Sequence, residues 1–280
     1  MRYGPHIFVA GVVALHGCFN ELLMVATILL RGPSAASQMA MQVLVGLAYG
    51  SYAGQVVNHC IWFVLWNWGG VRRVLLGGLA AFFLYMGLAV PTWYTYPQHF
   101  DFRNMVLAGI LGLPAVLLAG QMLLWMMRYG LHWHICVAGR PNMGQPGNAM
   151  TIRGLLVATT AVAFAIAGLR FGLALDVVAV DYVFHAMASA ATVVVLLGVP
   201  TMFLILWSRR FCLGWLCANL GVFFIPLAIA ASLLLIFSGQ RTGFWMEVIR
   251  PMGGFTAGYA LCASTPLLAA RLMGARLLRA

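Results

Sequence analysis

Eight mostly apolar runs follow one another through this chain, at about 7–30, 40–66, 73–91, 104–127, 154–175, 183–207, 212–236 and 254–273, and this pattern limits its folding more than any other feature. Each run ends at arginine, at a Gly/Pro cluster or at a belt of aromatics. A segment of roughly 20 apolar residues is what crosses about 30 Å of hydrocarbon. Lipid offers no partner to backbone amides, so such a segment must close its hydrogen bonds internally, as a helix. Only 8% of the 280 residues are charged and 63% are hydrophobic, with a mean hydropathy of +0.95, which leaves no room for a separate soluble domain. The expected fold class is all-α: a polytopic transmembrane helical bundle of about eight spans, with residues 1–280 forming a single integral membrane domain.

Charge placement sets the expected orientation. Eleven of the 16 basic residues, all of them arginine, fall on the side of the N-terminus: Arg2, Arg72, Arg73, Arg128, Arg140, Arg153, Arg209, Arg210, Arg271, Arg276 and Arg279. Arg31, Arg103, Arg170, Arg241 and Arg250 fall on the other side. Arginine near a span resists translocation, so this asymmetry places both termini in the cytoplasm of a bacterial inner membrane. Asp101, Asp176, Asp181 and Glu247 all gather on the outer side, and Glu21 alone lies inside a span. The net charge of +11 does not point to nucleic acid, because the arginines are scattered singly or in pairs without a basic patch.

Aromatic residues mark the two interfaces. Trp66, Trp68, Trp125, Trp133 and Trp207 stand near inner ends, and Trp93, Tyr94, Tyr96 and Trp245 near outer ones. Thr92 to Phe100 is expected to lie along the outer interface. Met1 to Ser37 carries features of a signal peptide, but its apolar stretch runs to Leu30 and holds His16, Asn20 and Glu21, so it is read as a retained first helix. A faint repeat sets Phe63-Val64-Leu65-Trp66, with Arg72-Arg73 after it, beside Leu204-Ile205-Leu206-Trp207 and Arg209-Arg210. Four spans per half would make the halves a 4+4 parallel repeat.

Met150 to Ala163, ending in Gly168-Leu169-Arg170-Phe171, resembles a span common in uncharacterised multi-pass membrane proteins of planctomycete bacteria, and Gln55 through Leu65-Trp66 to Arg72-Arg73 resembles their early spans. The resemblance implies no activity, cofactor or site residue.

Glu21 is the costliest residue to explain, since a carboxylate near a helix centre carries on the order of 2.5–3.5 kcal/mol on insertion scales. His16 and Asn20 are four apart on one helical face with Glu21 adjoining, and Gln55, Asn58 and His59 share a face of the second span. Consecutive antiparallel spans bring both midplanes level, so these six residues form a candidate polar seam. It has two readings: an interhelical hydrogen-bond clasp, or a proton or cation path. Gly46, Gly50 and Gly54 recur every four residues and admit a close helix neighbour.

Cofactor and metal signals are weak. His16 and His59 could bind haem between them, yet no second matched histidine pair exists, and no cofactor is expected. His132, His134 and Cys136 would point one way from an extended strand but lack a fourth ligand, so no metal is expected and the loop is read as resting at the interface through Trp133. The six cysteines hold no CxxC and read as reduced. His185 with Asp181 is read as a structural helix-start pair. Pro114, Pro200, Pro226 and Pro266 can kink their spans. Catalytic signatures such as GxSxG, HExxH or a phosphate loop are missing. Two functions stay open: a small permease or channel using the seam, or a non-catalytic membrane scaffold or subunit packing against partner proteins. The lipid bilayer and other membrane subunits are the expected partners, and no substrate can be named.

Overall fold

The computed structural model describes residues 4–30, 32–65, 70–95, 101–137, 152–175, 180–208, 210–237 and 244–279. Within them the chain is mostly helical, with one helical rod on each apolar run. These are α1 (Gly4–Leu29), α2 (Ala35–Leu65), α3 (Gly70–Thr95), α4 (Phe102–Tyr129) and α5 (Ile152–Ala174), followed by α8 (Phe211–Phe237) between two compound rods. The sixth rod joins α6 (Val180–Val193) to α7 (Val199–Met202) through a π-helical turn at Val194–Gly198 and ends in a second one at Phe203–Trp207. The eighth joins α9 (Phe244–Tyr259) to α10 (Thr265–Leu272) through a third at Ala260–Ser264. Among the described residues three stretches, Ala10–Leu29, Phe102–Tyr129 and Val183–Trp207, are long and apolar enough to cross a membrane. Polar Gln42, Ser51, Gln55, Asn58 and His59 dilute the apolar character of α2, which packs against α1, α3, α4, α6 and α9.

Close backbone approach fixes the partner of α2. A Cβ on Gly46 or Gly50 would overlap the carbonyl of Pro251 or Phe255, and one on Gly54 would lie 2.9 Å from the Cβ of Cys262. From the other side, Gly254 abuts the carbonyl of Val43 and Gly258 that of Leu47. Two small-residue faces at four-residue spacing therefore interlock, letting dispersion contacts accumulate where larger side chains would hold the helices apart. The C-terminal part of α2, from Val57 to Leu65, is the centre of the core, packed with Leu124, Leu197, Met202, Ile205, Tyr259 and Leu267.

Prolines sort into two kinds. Pro114 sits inside an unbroken α4, whereas Pro200 and Pro266 each begin a helical segment after a π turn. A proline ring clashes with the preceding turn and donates no N–H, and one extra residue per turn is a compact way to absorb both.

Two local features add to what the sequence announced. The fold carries a two-stranded antiparallel ribbon beside its helices: β1 (Trp133–Val137) pairs with β2 (Ala275–Arg279), with Ile135 opposite Leu277 and Cys136 opposite Arg276. Ile135, Ala275 and Leu277 are buried, and Trp133 packs edge-on against Phe203 and Trp207, so this segment is docked on the sixth rod as well as resting on an aromatic. Secondly, Thr92–Thr95 belong to the last turn of α3, with Trp93 against Phe102 at 5.2 Å between ring centres. The expectations for Tyr96 to Phe100, Trp66, Trp68, Arg140, Asp176, Arg209 and Arg241, and for the side chains of Asp181, Trp245 and Glu247, lie outside the described residues.

Candidate functional site

A polar node stands where α1, α2 and the π turn at Ala260–Ser264 meet. Asn20 and Gln55 face each other as reciprocal amides: Asn20 Nδ2 donates to Gln55 Oε1 at 3.3 Å, and Gln55 Nε2 donates to Asn20 Oδ1 at 2.8 Å. One turn on, Asn58 Nδ2 donates to the Cys262 carbonyl at 2.5 Å while Asn58 Oδ1 accepts from Trp62 Nε1 at 3.1 Å. The Cys262 carbonyl is a special acceptor. Its α-helical donor would be the amide of residue 266, and that residue is proline. Asn58 supplies from α2 the hydrogen that Pro266 lacks.

His16 and His59 flank this node. His16 is 2% exposed and its Nε2 has no hydrogen-bond partner among the described residues, while the His59 ring lies 4.4 Å from that of Phe63. A small cavity, about the size needed for one water molecule, opens between His16, Gln55, Asn58 and His59, with Val13 and Leu84 as apolar walls. Its accessible lining is almost wholly apolar, because the amides of Gln55 and Asn58 are already engaged with Asn20, Cys262 and Trp62.

Five of the six predicted seam residues thus come together: His16, Asn20, Gln55, Asn58 and His59 are all buried around α2. Glu21 does not join them. It is exposed on the outer surface of α1, as are Cys18, Leu22 and Val25. Asn20 and Glu21 are successive residues, about 100° apart around the helix, so turning Asn20 to Gln55 turns Glu21 away.

The loop histidines differ in burial and in partner. His132 is exposed with φ 58°, whereas His134 is buried with Nδ1 3.2 Å from the His132 carbonyl oxygen. Cys136 is half-buried, and its burial raises the thiol above its ordinary pKa. Among the described residues no cluster of three or more His, Cys, Asp or Glu is arranged to hold a metal ion.

Sequence reasoning missed several other buried polar links. Arg128, 9% exposed, donates through Nη1 to the Val64 carbonyl, and Arg271 donates to the carbonyls of Ala275 and Ser208 at 3.3 Å each. Both arginines carry the positive-inside signal, and both also satisfy carbonyls at the ends of neighbouring segments, where a cation is favoured. Tyr259 donates to Thr201 Oγ1 at 3.2 Å and Ser264 to Asn219 Oδ1 at 2.8 Å, tying the eighth rod to the sixth rod and to α8. Their signal in the sequence was a few hydroxyls and one amide scattered through apolar runs, which name no partner. No protein-family model, curated protein or solved structure matches the chain.

Proposed function

We propose that this chain crosses a bacterial inner membrane eight times with both termini cytoplasmic, and serves there as a non-catalytic membrane subunit that packs against another protein through its outer helical surface. The arginine asymmetry supports the orientation, and the β ribbon supports an even number of crossings. Strand pairing needs the α4–α5 loop and the C-terminus on one face, which requires an even number of crossings between them, and four rods lie there. A 4+4 arrangement draws support from the contact of the second and sixth rods, where Gly198 sits under Val57. We also place the chain with the planctomycete membrane proteins that its second and fifth spans resemble.

One observation carries the subunit reading. The costliest group in the apolar runs, the Glu21 carboxylate, faces away from the polar node and out of the molecule. Lipid tails cannot satisfy it, whereas a partner helix with a cation or donor at the same depth can. A photocrosslinking residue replacing Leu22, 66% exposed beside Glu21, is expected to capture protein in native membranes. Adducts to lipid alone overturn this reading.

The cavity favours a second reading, a permease-like path, because the unpartnered His16 Nε2 lines it. Under that reading a His16→Cys variant reacts with a membrane-impermeant thiol reagent from one side of the membrane. Protection from both sides leaves the node as a clasp.

A further inference from the structure

We infer that the partner on this surface is a second copy of the same chain, held by two symmetric Glu21–Arg170 pairs between α1 of one copy and α5 of the other. The inference rests on the subunit reading above. Glu21 and Arg170 are both exposed, and neither has a hydrogen-bond or ion-pair partner among the described residues. Their depths agree. From the midpoints of α1 and α5, Glu21 lies about 7 Å and Arg170 about 10 Å towards the outer end at 1.5 Å per residue, a gap that an arginine side chain covers.

Topology then places the charges opposite each other. α3 packs against α1 and also touches α5. Phe83 of α3 lies over Gly17 on α1 and is still 53% exposed, and Glu21 is one turn on from Gly17 on that same flank. The three helices are parallel in the eight-span arrangement. A two-fold axis along the membrane normal, passing by α3, reverses the order of the helices across the interface: α3 meets α3, and each α1 meets the other copy's α5. The axis keeps every residue at its depth, so each carboxylate faces an arginine and like charges stay apart. Leu75, Leu79 and Phe83 form an exposed apolar ridge along α3 for the centre of the contact, and Gly78 has open space above it. A partly desolvated carboxylate–guanidinium pair removes the cost that either charge carries alone against lipid.

The test uses the full chain in membranes with the exposed Cys18, Cys212 and Cys217 replaced by alanine. Phe83→Cys, next to the axis, is expected to form a disulfide-linked species of twice the 30.4 kDa chain mass on oxidation. Glu21→Arg or Arg170→Glu alone should lower that yield several-fold, and the two together should restore it. Absence of the dimer, or a double variant no better than the single ones, overturns the inference. Photo-adducts at Leu22 to a different protein also overturn it while leaving the subunit reading intact. Lipid adducts alone bring down both.

Discussion

Pro266 leaves the Cys262 carbonyl without its helical donor, and Asn58 meets that carbonyl from another helix. An unsatisfied buried acceptor costs about 1–3 kcal/mol, so Asn58→Ala should destabilise the detergent-solubilised protein by that order, read from its unfolding midpoint. Because the cost arises from the missing proline amide, Pro266→Ala in the same chain should shrink it. Equal losses in both backgrounds would show that Asn58 acts through Trp62 instead. For Asn20 and Gln55, a double-mutant cycle to alanine should give a coupling of about 0.6–2 kcal/mol, and additive effects would dissolve the amide pair. Much of this node was legible because polar residues three and four apart in an apolar run mark one helical face. Glu21 was misplaced because adjacency in sequence is a third of a turn around the helix, enough to carry it from the inner to the outer surface. The link from Asn58 to Pro266 was hidden, since a missing donor shows in the sequence while the helix that replaces it does not.

The contact between α2 and α9 rests on backbone meeting backbone. Gly50→Ala should cost about 1–3 kcal/mol, because its new Cβ runs into the Phe255 carbonyl and two packed helices must separate. Gly78→Ala is the matched control: nothing lies within 4 Å of its added Cβ, and replacing a helical glycine favours the fold by about 0.5–1 kcal/mol. Thermal midpoints of the two variants should therefore move in opposite directions, and a shared rise would mean that helix propensity outweighs packing at these sites. The glycine spacing on α2 announced a close neighbour without naming it. The π turns at Val194–Gly198, Phe203–Trp207 and Ala260–Ser264 gave no such notice, because one added residue barely disturbs the periodicity of a run that is apolar on every side. Similarly, the alternation of His132, His134 and Cys136 fitted a strand, but a ribbon needs two, and the arginines of Ala275–Arg279 concealed the second behind a charge signal.

The ribbon ties local pairing to the topology of the whole molecule. Cys136 and Arg276 are opposed across two antiparallel strands, at a Cα separation of about 4.5–5.5 Å that suits a disulfide. Arg276→Cys should therefore crosslink to the native Cys136 on oxidation, joining the α4–α5 loop to the C-terminus. Burial holds the Cys136 thiol above its ordinary pKa, and only the thiolate attacks, so the crosslink should form faster as pH is raised past the normal thiol range. If arginine was sorted across the membrane as its distribution implies, that bond lies on the cytoplasmic face. In the intact cell an impermeant reductant should fail to open it, and in inverted vesicles the same reductant should succeed. Reduction from outside would invert the orientation while preserving the even number of crossings that strand pairing demands. Failure to crosslink at any pH would remove the ribbon, and with it the constraint that puts four rods between the loop and the tail.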